Sequence, residues 1–178
     1  IDKVSNIADL QKLMIDTEPY GGVGFFGVGV GSHPKNSNLN AGYLSNAGLG
    51  LSRDYYVDQD DDTKAKREKY RAHIAKMMMY LGETEEEAKK NADNILAFET
   101  RLAEPRMNKV DRRDARKRFN PKSMSDLAEM TPVIDWPTYI NGVGMKNLDT
   151  IIVTDPGYFI ALNEILEEGN ISDWKNYL

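Results

Sequence analysis

Cysteine is absent from the 178-residue sequence, which removes disulfide bridges and thiolate–metal ligation together. It does not decide the compartment. Histidine is almost absent: His33 and His73 are the only two, and neither is followed by Glu. A zinc-binding His pair at i and i+4 therefore has no local route. No apolar run approaches the ~20 residues that cross a bilayer. Positive charge is outnumbered, 23 Lys and Arg against 28 Asp and Glu for a net charge of −5. That balance favours solubility and counts against wholesale nucleic-acid binding. What remains is 40% hydrophobic and 29% charged, the composition of an ordinary globular chain long enough for one domain with its own core.

The elements follow from periodicity. Ser5–Asp16 reads as a short helix, with Ser5 as N-cap and Ile7, Leu10, Leu13 and Met14 on one face. Glu18–Gly22 breaks it. Val23–Val30 and Leu39–Asn46 read as a strand pair around the polar loop Ser32–Asn38. Helical patterns dominate thereafter. One runs from Thr63 to Leu81, with Tyr70, Ile74, Met77, Met78 and Leu81 as its apolar stripe, His73 at the stripe's boundary and Gly82 as the stop. The next opens on Thr84, which has capping-box spacing to Glu87, and ends at Pro105. Shorter helices are expected over Ser123–Met130, after Asp135-Trp136-Pro137, after Asp155-Pro156, and from a Ser172 cap to the end. Asp149–Thr154 is a β-branched run and a third strand candidate. Strands first and helices later, without strand–helix–strand alternation, predict a mainly α fold. It is a helical array with a small antiparallel β-sheet, the hairpin plus that third strand, in a single domain over 1–178.

Four local patterns invite sharper readings. Gly22-Val-Gly-Phe-Phe-Gly27 matches the G-x-G-x-x-G dinucleotide fingerprint, but Val28–Pro34 has no helical period to supply the required helix N-terminus. Asp58, Asp60 and Asp62 fit positions one, three and five of a calcium loop, yet Thr63 stands where Gly is needed and Lys69 where Glu is needed. Carboxylates at a helix N-terminus are the simpler account. Arg101–Lys122 holds nine basic residues (Arg101, Arg106, Lys109, Arg112, Arg113, Arg116, Lys117, Arg118, Lys122) against Glu104, Asp111 and Asp114, a local excess of six. Only Phe119 interleaves it, so a loop that pairs with acidic segments fits better than a nucleic-acid patch. Asn170-Ile171-Ser172 has the form of a glycosylation sequon, meaningful only in a eukaryotic secretory setting.

One stretch is less generic. Gly48 and Gly50 allow a tight path through Leu49–Tyr56, Ser52-Arg53-Asp54 offers turn and helix-start chemistry, and Tyr55 and Tyr56 bring two rings that can anchor a loop. Chemistry alone reads it as a packed corner. Gly48–Tyr56 also resembles the Gly-Leu-Pro-x-Arg-Asp-Tyr-Tyr signature of the neprilysin and endothelin-converting-enzyme family, zinc metalloendopeptidases that include bacterial oligopeptidases. Lys35-Asn36-Ser37 is similar to a family loop before the second strand of a hairpin. Glu99-x-x-Leu102-Ala103, Arg113-Asp114, Phe119-Asn120, Asp135-Trp136 and Val153–Leu162 follow in the family's order. Ser52 stands where the family usually has Pro, and Phe119 where it often has Tyr.

The resemblance implies a fragment of the N-terminal, non-catalytic lobe. The family's His-Glu-x-x-His helix, whose two His face one metal and whose Glu is the general base, is not in this sequence. Zinc is accordingly expected in the missing catalytic lobe of the same polypeptide, with no cofactor, metal or catalytic residue in this chain. Gly50, Leu51, Arg53, Asp54, Tyr55, Tyr56, Glu99, Arg113, Asp114 and Trp136 carry the family motifs and are expected to be scaffold. The parent would cleave peptides on the amino side of hydrophobic residues. This lobe would close over the active-site cavity and limit substrate size, and would be inert by itself. The chain opens on Ile1-Asp2-Lys3 without Met and stops inside a helical pattern at Leu178, which also suggests a piece of something longer. A Cys-free relative points to a bacterial parent, periplasmic or surface-anchored before cytoplasmic. The alternative is a stand-alone helical module that binds peptides or proteins, and a polyanion binder is a third.

Overall fold

The computed structural model describes residues 1–146 and 148–178. It is mainly α-helical with one small sheet, as the pattern predicts. Helix α1 (Ile7–Thr17) is capped by Asn6, whose side chain accepts from Asp9 N at 2.9 Å. Ser5 is not the cap; its own N–H donates to the Asp9 carboxylate at 2.9 Å. Strand β1 (Phe26–His33) starts three residues later than the alternation suggests. The cause is upstream, where Gly21, Gly22 and Gly24 all take positive φ, a conformation incompatible with a regular strand. Strand β2 (Asn36–Asn46) starts earlier than expected, so the polar loop is largely absorbed into a longer hairpin. The two strands are antiparallel, in register from Phe26↔Asn46 to Ser32↔Asn40, with an irregularity at Ser32/His33.

A single-turn helix, α2 (Asp54–Val57), leads into α3 (Asp61–Tyr80). Asp60 caps α3 by accepting from Thr63 N at 2.9 Å, and Asp62 pairs with Lys66 at 2.7 Å. Asp60 and Asp62 are thus helix-start chemistry, whereas Asp58 is the C-cap residue of α2. Only part of the expected stripe on α3 is covered. Ile74 is buried and Tyr70 and Met78 are partly so, whereas Met77 and Leu81 are 40% and 81% exposed. Antiparallel α4 (Glu85–Ala103) is the main neighbour of α3, so only a narrow strip finds cover. Gly82, at φ +101°, ends α3 while Glu83 N reaches back to Met78 O. Thr84 and Glu87 form the full capping box that opens α4.

Strand β3 (Asn120–Ser123) has no counterpart among the expected elements. It is four residues long and contains Pro121, which a sheet tolerates at an edge where no N–H is required. Then come α5 (Met124–Met130), α6 (Trp136–Gly142), β4 (Thr150–Val153), α7 (Pro156–Glu168) and α8 (Ile171–Tyr177). Asp135 and Asp155 cap α6 and α7, while α8 is capped by Asn170 and not by Ser172. The sheet runs β1-β2-β4-β3. Its two outer pairings are antiparallel, but β2 and β4 are parallel, Gly42↔Ile151 to Leu44↔Val153. The expected antiparallel sheet is therefore mixed, because a long crossover through the helices brings β4 alongside β2 in the same direction.

The core lies where the hairpin meets α6 and α7. The Phe26 ring sits 4.9 Å from Tyr139, 5.2 Å from Trp136 and 5.8 Å from Phe159, and Trp136 and Phe159 are fully buried. Such clusters add edge-on ring contacts to area burial. A smaller cluster of Ile74, Ala92 and Ile95 joins α3 to α4.

Candidate functional site

The Gly48–Tyr56 corner is organised around one carboxylate. Glu99, on the inward face of α4, is only 4% exposed, so its charge must be met by donors. Three meet it. Gly50 N donates to Oε1 at 3.1 Å, Tyr70 Oη to Oε1 at 3.2 Å, and Tyr56 Oη to Oε2 at 2.9 Å. The Tyr56 hydroxyl in turn accepts from Leu51 N at 2.9 Å. A Cβ on Gly50 would stand 1.7 Å from Tyr70 Oη, so glycine is required there for close approach. Around the hub, Arg67 donates to Tyr55 O at 2.8 Å and to Asp58 O at 2.7 Å, Arg53 donates to Glu104 O at 3.3 Å, and Asp54 pairs with Lys109 at 2.6 Å. The Tyr55 ring lies under the Lys66 ammonium, 4.9 Å from its centroid.

Burial, with the Glu99 charge beside it, holds the Tyr56 hydroxyl far above the ordinary tyrosine pKa, and Tyr70 is raised for the same two reasons. Tyr177 lies on the Phe25 ring at 5.6 Å and is pushed up to about 12 by burial and then by Glu99. All three are neutral donors near neutral pH, outside the range useful for proton transfer. The arrangement binds a loop to a helix.

The sequence motifs do not form one cluster. Gly50, Leu51, Arg53, Asp54, Tyr55, Tyr56 and Glu99 come together at this corner. Arg113 and Asp114 lie on a surface turn, where Asp114 accepts from Arg116 N at 2.9 Å and pairs with the Arg116 guanidinium. Trp136 is in the aromatic core and donates to Thr131 O at 3.2 Å. Tyr70 and Arg67 were not legible as site residues: a helical stripe shows that Tyr70 faces inward, not that its hydroxyl meets Glu99. Among the described residues no group of three His, Cys, Asp or Glu side chains could hold a metal ion. His33 accepts from Lys35 N at 3.2 Å beside Phe119, and His73 lies on the exposed side of α3. The residues present do not fit zinc.

Two concavities flank the Ser45–Gly48 strip. The larger, 710 Å³, has Gly27, Gly29, Tyr43 and Ser45 of the hairpin on one side and Glu99 and Tyr177 on the other. The second, 490 Å³, is walled by Arg53, Arg106, Arg112 and Arg118, with Asp155 as its acidic member.

The model of the N-terminal region of peptidase family M13 matches residues 1–178. Human endothelin-converting enzyme 1 is 29% identical over 174 residues, 94% of this chain and 22% of that protein. Neprilysin-3 of Drosophila melanogaster is 26% identical over 166 residues, 86% of this chain and 21% of that protein. Among solved structures, the Mycobacterium tuberculosis zinc metalloprotease ZMP1 in complex with an inhibitor superimposes at a TM-score of 0.89 with 27% identity, covering 99% of this chain and 27% of that one. The chain thus spans less than a third of the length of these relatives.

Proposed function

This chain belongs to peptidase family M13, and on that premise we propose that it is part of the non-catalytic, helical lobe of a zinc metalloendopeptidase. The lobe covers the active-site cavity and restricts it to peptides of limited size. The observation that carries this reading is the whole-length match to the N-terminal region of the family, together with the superposition on a zinc metalloprotease over 99% of this chain. A rigid helical cap suits such a role because excluding water and large chains requires shape more than chemistry. The Glu99 hub supports it, since its buried, high-pKa tyrosines hold the Gly48–Tyr56 loop rigidly. Zinc and the general base belong to the remaining lobe, which is this chain's principal partner. No described helix is long and apolar enough to cross a membrane.

The test has two parts. The isolated chain with added zinc is incubated with a fluorogenic peptide library, and no turnover is expected. The open reading frame of the gene is read past Leu178, where a His-Glu-x-x-His helix is expected. Zinc-dependent hydrolysis by the isolated chain, or a continuation without paired His ligands, overturns the proposal. A stop codon directly after Leu178 would favour a stand-alone binding module.

A further inference from the structure

The basic run Arg101–Lys122 divides in the folded chain. Arg101, Lys109, Arg116 and Lys117 pair with Glu168, Asp54, Asp114 and Asp111. Arg106, Arg112 and Arg118 have no carboxylate partner among the described residues, and neither does Arg53 from the Gly48–Tyr56 corner. Those four arginines wall the same 490 Å³ recess. Arg113 and Lys122 are likewise without a carboxylate partner among the described residues and lie outside the recess, but four unpaired guanidinium groups from two separate segments converge on one concavity in a chain whose net charge is −5.

Their hydrogen bonding is also incomplete. Arg106 donates from Nε to Leu102 O at 3.0 Å and from Nη1 to Ala47 O at 2.7 Å, and its guanidinium lies 5.0 Å from the Tyr158 ring centroid. This anchors the group and leaves Nη2 buried without an acceptor among the described residues. Arg53 is held by Glu104 O through Nη2, and its Nε is likewise buried without an acceptor. Asp155 forms no ion pair with them among the described residues; its carboxylate accepts from Met107 N at 2.8 Å and from Tyr158 N at the start of α7, and its charge offsets one of the four positive ones. Arg112 and Arg118 are exposed at the rim and make no side-chain hydrogen bond among the described residues.

We propose that this four-arginine recess is an oxyanion site that takes the carboxylates of an acidic peptide segment. Anchored Arg53 and Arg106 form its wall, and exposed Arg112 and Arg118 stand at its rim. Guanidinium forks match carboxylate and phosphate oxygens bidentately, which ammonium groups do not. Among the described residues no aromatic side chain lines the recess, so it lacks the stacking platform that single-stranded nucleic acid requires. The site does not depend on the peptidase reading: its occupant is an acidic peptide supplied in trans, matched by the excess of positive charge in the recess.

Binding of an N-acetylated, amidated tetraglutamate to the 178-residue chain is measured by calorimetry and by the arginine Nε–Hε signals in NMR. Inorganic phosphate and an octathymidylate serve as separate arms. Saturable tetraglutamate binding that shifts the Arg53 and Arg106 signals is expected. It should weaken at least fivefold in Arg112→Gln/Arg118→Gln and stay within twofold in the charge-matched Arg113→Gln/Lys90→Gln, whose side chains lie outside the recess. Circular dichroism should show both variants folded, since Arg112 and Arg118 hold nothing else in place. Three results overturn the proposal: no saturable binding, equal losses in the two variants, or tighter binding of octathymidylate than of tetraglutamate. Phosphate binding as tightly as tetraglutamate overturns the peptide assignment and reduces the site to one for free small oxyanions.

Discussion

At the residue scale, Glu99 and Gly50 act as a pair. A carboxylate this buried is tolerable only because three donors surround it, and a side chain on Gly50, whose N–H is one of the three, would collide with another of them, Tyr70. Gly50 does not adopt a left-handed conformation, so the cost of replacing it lies in collision and not in backbone strain. Gly50→Ala puts a methyl group against Tyr70 Oη and forces that ring off Glu99. Overpacking and one lost charge-assisted hydrogen bond together should cost about 2–4 kcal/mol. A lowered urea midpoint with an unchanged m-value is the expected result. A loss below about 0.5 kcal/mol, inside the range of an ordinary surface change, would contradict the close approach.

At the element scale, the α3–α4 hairpin is held unequally. Seven residues of α4 are buried, five of them beyond its contacts with Ile74, whereas α3 buries only Thr63 and Ile74. Helix α3 should therefore open before α4. Native-state hydrogen exchange is expected to show faster exchange over 72–80 than over 95–103. The capping box at the hairpin's turn sets where α4 begins. Thr84→Ala removes the side-chain acceptor of Glu87 N and should cost about 1 kcal/mol. That corresponds to roughly fivefold faster exchange in the first turn of α4, with little change at 95–103. Uniform acceleration along the whole helix would show that the cap is not local.

At the scale of the whole molecule, buried tyrosines couple the fold to alkaline pH. Burial raises the hydroxyls of Tyr56, Tyr70, Tyr139 and Tyr158 far above their usual value, and Tyr177 is pushed up to about 12. In the unfolded chain they ionise near pH 10. Above that pH the unfolded state has released protons that the folded state still holds, so stability falls as pH rises. For Tyr177 the contribution is complete below about pH 10 and is lost as pH climbs through about 12. Urea unfolding between pH 9 and 12 should show a steady decline, shallower in Tyr177→Phe (these pH values are about those set by the tyrosine reference pKa). Stability flat to pH 12 would mean that these hydroxyls are not protected.

The sequence by itself determined most of the helices, because each carries its own cap, apolar period and stop. Thr84 with Glu87, Asp155 with Pro156, and Gly82 after α3 are local signals, and they act where the chemistry places them. It also made the family legible, since Arg-Asp-Tyr-Tyr and the motifs after it keep their order along the chain. Only the tertiary structure decided the rest. That β4 lies parallel to β2, that Pro121 sits in an edge strand, and that Met77 and Leu81 remain exposed depend on which elements meet. The same holds for the Glu99 hub and the arginine recess, whose members lie dozens of positions apart. Local pattern reports what a residue can do within a turn or two of its neighbours. Pairing a carboxylate on one helix with a backbone N–H on a distant loop is settled only when burial brings them together and leaves the charge no other partner.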